Sequence, residues 1–465
     1  MGAGGRSAGR TRLRRVLLFV LAGAALSAAL LALFFWPWVA AQVRAVVVLA
    51  AVLRPPALSP AVAALTPEPA LSDREVAGVP TLVARPAGAG EGPALVFVNG
   101  AVPPGRHEPN VRRLARGLAR AGYQVYVPDV PGLRSGEISP STVEATVGVA
   151  RRAAEGSESG RVGLAGVSVG ASIALLAAED PRINDRVSVV SGIAPYTDLK
   201  TVLRLATTGT YLRGGEPVPY RTPPYLRLVV ARSLVSMLPP GEDRRALMRR
   251  LPSLESYYPP RLVDDDPLAP LRAFVAARGG ELGPAAESAA RLLVNEDPAR
   301  FEELFAALPP RLERLVGVLS PLAGAERLRA PVYIASAPRD KYFPLVESRR
   351  LARASPRVDL TVTRTLVHAI PRPSPGDLAA FARLDAFVVR SLRASAQGAP
   401  QGGQQDAGLE QGLRGGEQVL HLQQPPGRPL VLGGQPQHPF RDPVGEPPEG
   451  AQLLDARGRR PLGVA

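Results

Sequence analysis

Gly166-Val167-Ser168-Val169-Gly170 is the stretch whose reading sets the fold. Before it, Arg161–Ala165 is a short run of strand character; after it, Ala171–Ala178 is a small-residue apolar run that reads as helix. G-x-S-x-G between a strand and a helix puts its serine at the apex of a sharp turn. The backbone is strained there, and flanking glycines remove the Cβ atoms that would collide. The hydroxyl is then presented at a helix N-terminus, where unpaired N–H groups and the dipole favour negative charge. The spacing predicts Ser168 as a nucleophile with Gly166 and Gly170 as elbow glycines; in a chain of 46 glycines, a purely structural turn is the competing reading.

Working outward, the same alternation continues on both sides. Ala94–Val98 is an uninterrupted apolar run ending in Asn99-Gly100, the pattern of a buried parallel strand. The next segment carries Val111, Leu114, Leu118 and Ala121 on one helical face and stops at Gly122, before a strand at Tyr123–Val127. Ser139-Pro140 and Ser141 with Glu144 are two competing helix starts ahead of Val143, Val147 and Ala150. Further strands are predicted at Arg186–Val190, Pro331–Ala335 and Asp359–Thr363, followed by an amphipathic helix through Leu378, Phe381, Leu384, Phe387, Val388 and Leu392. Between Leu199 and Arg329 the strand signal vanishes and helical stretches recur. The expected class is α/β, a mostly parallel sheet covered by helices, in two core parts (72–198 and 330–396) around a helical insertion at 199–329.

Both ends differ from this middle. Arg6, Arg10, Arg12, Arg14 and Arg15 precede an uncharged run from Val16 to Trp36, with Phe34, Phe35, Trp36 and Trp38 at its far end. At 1.5 Å per residue that run covers about 31 Å, matching a hydrocarbon core of roughly 30 Å. A transmembrane helix at 16–38 is expected, with residues 1–15 cytoplasmic by the positive-inside rule and the rest outside. A cleaved signal, with Val39-Ala40-Ala41 as its small-residue site, and a helical hairpin are the alternatives. Residues 39–71, with Pro55, Pro56, Pro60, Pro67 and Pro69, read as a juxtamembrane segment and stiff linker. After Ala396 eleven glutamines crowd the last 69 residues with no periodicity, so 397–465 is expected to be a disordered tail.

Composition removes several kinds of chemistry. The chain has no cysteine, which excludes disulfides, thiolate metal sites and cysteine nucleophiles, and four histidines leave little for a metal centre. Neither a metal nor a cofactor is expected. The net charge of +15 divides into +7 over residues 1–54, −1 over 397–465 and a diluted +9 between, with no basic run interleaved with aromatics. That distribution argues against a nucleic-acid partner.

A serine nucleophile needs a base and an acid. His421 and His438 fall in the tail and His107 in the loop after Ala94–Val98, whereas His368 follows a strand and precedes the last helix. His368 is the predicted base. Asp340, just past Pro331–Ala335, is the predicted acid, and Asp198 is the runner-up. The chain order Ser168, Asp340, His368 agrees with a triad on an α/β sheet.

Together these residues resemble the α/β-hydrolase fold, and especially its dienelactone-hydrolase-like and serine-esterase branches. The resemblance runs from about Val76 to Ser395 and rests on Val96-Phe97-Val98-Asn99-Gly100, Asp129-Val130-Pro131-Gly132, Gly166–Gly170, Ser320-Pro321, Asp340 with Pro344, and His368. It implies a Ser168–His368–Asp340 triad, an oxyanion hole from the backbone N–H groups of Val169 and Ala101, and a lid where the helical insertion lies. Asn99-Gly100 stands where the family often has His-Gly, and Ser168 replaces the usual dienelactone cysteine. The expected activity is hydrolysis of carboxylic esters, lactones or thioesters, with an apolar ester as substrate and the bilayer as partner. An acyltransferase and a non-catalytic membrane-tethered scaffold are the alternatives, and oligomeric state is left open.

Overall fold

Short apolar strands and amphipathic helices assemble as their periodicities predict, in a computed structural model that describes residues 35–56, 58–88, 92–261, 265–372 and 376–397. Residues 1–34 of the basic segment and expected span, and all but Gln397 of the expected tail, lie outside the described residues. The eight sheet strands are β1 (Ala70–Val76), β2 (Val79–Arg85), β3 (Ala94–Val98), β4 (Gln124–Pro128), β5 (Val162–Val167), β6 (Val187–Ile193), β9 (Val332–Ser336) and β10 (Val358–Val362). Their spatial order is β1-β2-β4-β3-β5-β6-β9-β10, with β1 and β2 antiparallel and every pair from β4 onward parallel. The predicted strands are therefore present, Ala94–Val98 with the expected bounds and the others displaced by one to three residues at their ends, and the β1–β2 hairpin is an addition. Its turn, Ala77-Gly78, has positive φ at both positions, as a two-residue hairpin requires.

Each face of the sheet is covered. Side chains alternate along β3, so Leu95 and Phe97 join one core and Val96 and Val98 the other. The first core lies under α3 (Pro109–Arg120), α14 (Leu378–Gln397) and an N-terminal helix, α1, at Phe35–Leu53. The second lies under α4 (Pro140–Glu155), α5 (Val169–Glu179) and, between β9 and β10, α13 (Leu345–Ala354). Of the two helix starts, Ser139 prevails: Pro140 opens the helix and the Thr142 hydroxyl accepts the Ser139 N–H at 3.1 Å.

Two segments depart from the sequence reading. Helix α1 has a mean hydropathy of 1.7 and continues well past Trp38, where a juxtamembrane segment was expected. Ala41, Ala45, Val47 and Val48 are buried against the domain, and Gly117 of α3 leaves room for Ala51 and Val48. A further helix, α2 (Leu58–Leu65), occupies the stretch read as a proline linker. Its prolines fail to break it because Pro60 sits in the first turn, where no intrahelical N–H is needed.

The insertion between β6 and β9 also differs. It holds α6 (Leu199–Thr208), a hairpin of β7 (Thr210–Arg213) and β8 (Glu216–Pro219), then α7 (Pro224–Ser236), α8 (Glu242–Met248), α9 (Ala269–Arg278), α10 (Pro284–Leu293), α11 (Phe301–Ala306) and α12 (Pro310–Val318). The hairpin turns at Gly214-Gly215, both with positive φ, so the all-helical expectation missed a glycine-pair signal. Leu203, Leu228, Leu234, Leu247 and Leu293 share one continuous core with Leu164, Ile173 and Val190. The apolar face of the insertion is thus packed into the same core as the sheet.

The end of α5 carries a stability prediction. Glu179 is 3% exposed and pairs with Arg327 at 3.0 Å, while its Oε1 has no hydrogen-bond partner among the described residues. Burial pushes its carboxyl up to about 8, against the opposing pull of Arg327. The folded state therefore binds a proton that the unfolded state releases near its ordinary value, and stability falls as pH rises from about 4.5 to 8. Glu179→Gln is expected to unfold at a temperature similar to the parent near pH 5 and several degrees higher by pH 9. Thermal unfolding of both across that range checks it; parallel pH dependences would contradict it.

Candidate active site

Strand register brings the predicted residues to one edge. Val167 of β5 lies opposite Ile193, Ile193 opposite Ala335, and Ala335 opposite Thr361, so β5, β6, β9 and β10 end together. Ser168 leaves β5, Asp340 follows β9 and His368 follows β10, all from the C-terminal edge where α/β sheets place their ligands. Three spacings of about 4.8 Å separate β5 from β10, so the strand ends bring residues 200 positions apart in sequence to one edge of the sheet.

Ser168 has φ 55° and ψ −131°, a conformation costing on the order of 1–3 kcal/mol that the surroundings must enforce. Its N–H donates to the Ile193 carbonyl at 2.7 Å, and its carbonyl accepts from Ala171 at 2.9 Å. A Cβ on Gly166 would come within 2.5 Å of the Gly170 carbonyl oxygen, and one on Gly170 would overlap the carbonyls of Val98 and Asn99. Both glycines are needed for close approach.

The N–H groups of Val169 and Ala101 donate no hydrogen bond among the described residues. Val169 is the first residue of α5, where helical geometry leaves the N–H without an acceptor. Ala101 sits in a loop braced by Asn99, whose Oδ1 accepts the Gly100 N–H at 2.8 Å and whose Nδ2 donates to the Gly105 carbonyl at 3.1 Å. Asn99 thus supplies loop hydrogen bonds at the position where the expected family pattern has histidine. The far side is tied down by Asp129, which accepts from the Arg106 N–H at 2.7 Å and pairs with its guanidinium.

Asp340 and His368 are brought together. Nδ1 of His368 lies 2.9 and 3.0 Å from the two carboxylate oxygens, and the side chains are 12% and 3% exposed. Oδ1 of Asp340 also accepts the N–H groups of Tyr342 at 2.7 Å and Phe343 at 3.2 Å, which fixes the carboxylate plane. The Tyr342 ring lies against the imidazole, centroids 4.3 Å apart. With Nδ1–H directed at the carboxylate, Nε2 is left as the proton acceptor. No hydrogen bond joins the Ser168 hydroxyl to His368 among the described residues. Asp198, the rival acid, caps α6 instead, accepting from Lys200 N–H at 3.0 Å and from Arg350 at 3.0 Å. His107 is exposed, and His421 and His438 lie outside the described residues.

The insertion adds residues that sequence reasoning missed. Tyr225 of α7 donates its hydroxyl to the Ala101 carbonyl at 2.6 Å, and burial pushes its pKa well above the ordinary tyrosine value, so it stays a donor. Tyr220 likewise donates to the Asp340 carbonyl. The available signal was chemical: a tyrosine in an apolar helix must find a partner for its hydroxyl. Tyr225→Phe is expected to lower kcat several-fold, up to about tenfold, by loosening the Ala101 loop, with unfolding temperature within a few degrees of the parent. Ester turnover beside thermal unfolding checks this; unchanged kcat would show the loop to be held without it.

Beside the site, α6 and α7 enclose a narrow apolar cavity of about 30 Å³. Val169, next to Ser168, and Phe343, whose ring lies 5.8 Å from that of His368, form its site-side wall with Leu199, Leu226, Val230 and Leu234. Among the described residues no cluster of His, Asp and Glu could hold a metal ion.

A membrane phospholipase A described as a bacterial virulence factor is 18% identical, the alignment covering 80% of this chain and 99% of that one at a TM-score of 0.37. An alpha/beta hydrolase superfamily protein from Enterococcus faecalis is 13% identical over 69% and 99% of the two chains, TM-score 0.40. A puromycin-hydrolyzing peptidase from Mycobacterium tuberculosis is 18% identical over 70% of this chain and 37% of its own, TM-score 0.37. Identities this low carry nothing about substrate. No curated protein sequence matches the chain. The sequence profile of the alpha/beta hydrolase fold matches residues 93–369, more than half of the chain, and the chain belongs to that family.

Proposed function

We propose that this chain is a membrane-attached serine hydrolase of carboxylic esters, of the serine-esterase kind. The observation that carries the reading is the Asp340–His368 pair, held at 2.9 Å on the same sheet edge as the strained Ser168 elbow. Ser168 Oγ attacks the ester carbonyl while His368 Nε2 takes its proton, and Asp340 stabilises the imidazolium. The N–H groups of Val169 and Ala101 bind the tetrahedral oxyanion, each contributing roughly 3 kcal/mol. Collapse expels the alcohol, protonated by His368. Water, deprotonated by His368, then attacks the acyl-enzyme; the acid departs and the Ser168 hydroxyl regains its proton. The cavity beside Val169 is lined by apolar side chains, and its volume of about 30 Å³ fits only a short acyl group.

Attachment rests on the apolar helix α1 and the uncharged run before it, with five arginines on its N-terminal side placing that end in the cytoplasm and the catalytic domain outside. A non-catalytic scaffold would account for the missing Ser168–His368 hydrogen bond. That bond commonly tightens only with substrate present, so the scaffold reading gains little. Treatment of the full chain with a fluorophosphonate decides: covalent labelling that disappears in Ser168→Ala supports the hydrolase, and a folded parent that never labels overturns it.

A further inference from the structure

Helix α1 is apolar on two opposite faces. Its inner face is buried through Ala41, Ala45 and Val48, and its outer face exposes Trp36 at 65%, Val39 at 51%, Val43 at 59% and Val46 at 37%. These outer residues follow at three- and four-residue steps and so form one stripe. In sequence, the uncharged run Val16–Trp36 leads directly into that stripe.

The position of α1 relative to the site follows from its contacts. The Arg393 guanidinium lies 3.7 Å over the Trp38 ring, and Arg44 lies over Tyr123, the residue before β4. Tyr123 donates its hydroxyl to the Leu392 carbonyl at 2.7 Å, and a Cβ on Gly163, near the start of β5, would sit 3.1 Å from Ser395 Oγ. The last turns of α14, and the beginning of α1 with them, therefore lie at the N-terminal edge of the sheet. Ser168, Asp340 and His368 lie at the opposite edge, about one strand length from Trp38, while Gln42, one turn further along α1, reaches Asp385 in the middle of α14.

We propose that the outer stripe of α1 rests on the lipid bilayer and that the site consequently opens away from it, taking ester substrates from the aqueous phase rather than from the membrane. The substrate half of this inference rests on the hydrolase reading; the docking half does not. A bilayer fits the stripe because the four outer residues carry no charge and extend an apolar run of membrane-spanning length. At the site edge the exposed apolar residues Ile370 and Leu378 form the rival contact surface.

The chain has no cysteine and its two tryptophans are Trp36 and Trp38, which makes the test direct. The full chain is reconstituted in phosphatidylcholine–phosphatidylglycerol vesicles with the domain outside. Brominated phospholipid should quench the native tryptophan emission by at least about twofold, and no quenching overturns the docking. In parallel, Val43→Cys and Leu378→Cys carry a bimane label, and nitroxide-headgroup phospholipid should quench the label at 43 several-fold more than the one at 378. Equal quenching, or stronger quenching at 378, overturns the orientation. Water-soluble fluorophosphonate should label Ser168 at the same rate in vesicles as in detergent, and the vesicle phospholipids should be cleaved at least tenfold more slowly than a soluble nitrophenyl ester. Preference for the phospholipid overturns the aqueous substrate class. If the probe labels under neither condition, the serine reading fails while the quenching still decides the docking.

Discussion

Ser168→Ala is expected to lower kcat for nitrophenyl esters by at least about 10⁴-fold without lowering the unfolding temperature. The two halves of that expectation have separate causes. The hydroxyl is the atom that forms the acyl bond, and the Val169 and Ala101 N–H groups are left with only the modest catalysis that oxyanion binding provides. The backbone, by contrast, is held at φ 55° by the Ile193 carbonyl and by Gly166 and Gly170, none of which the substitution touches. Alanine keeps the Cβ and adds no new contact. Steady-state turnover beside thermal unfolding reads both halves, and a variant retaining a tenth of the activity would remove Ser168 from the mechanism.

Asp340→Asn should cost about 10⁴-fold in kcat, whereas Asp198→Asn should leave kcat within about twofold. In the first variant the backbone N–H groups of Tyr342 and Phe343 keep the amide oxygen in the place of Oδ1, so the NH₂ group turns toward His368. Nδ1 must then accept, the proton moves to Nε2, and the ring can no longer take the serine proton. In the second variant asparagine remains a competent helix cap, and the lost Arg350 contact is a partly exposed ion pair worth about 1 kcal/mol or less. Equal losses in the two variants would contradict the assignment of Asp340 as the acid. Circular dichroism of both confirms that the comparison is between folded proteins.

The rival acids show how far local patterns reach. Both aspartates follow apolar strands and both precede helices, so their sequence surroundings are alike. They differ in which neighbours arrive from elsewhere: Arg350, 152 positions on, meets Asp198, and His368 meets Asp340 across 28. Strand register brings both aspartates to the same sheet edge; what separates them is the His368 Nδ1, 2.9 Å from Asp340. The hairpin at Gly214-Gly215 is a different kind of omission, since its glycine pair was visible but lay within a helical stretch.

The elbow, the strand–helix alternation and the succession of Ser168, Asp340 and His368 at strand ends were legible in the residues, because each depends on local conformation or on succession along the chain. Hydrophobic period tells which face of a segment is buried, but not what covers it. Hence the stretch after Trp38 read as a juxtamembrane linker, whereas α1 packs its inner face against α3 and α14. Likewise, period alone did not show that the leucines of the insertion pack into the core of the sheet. Tyr225 on the Ala101 carbonyl, 124 positions away, belongs to the same class of fact. Such partners are set by the packing of whole elements, which contributes free energy only once the chain has closed the loops between them.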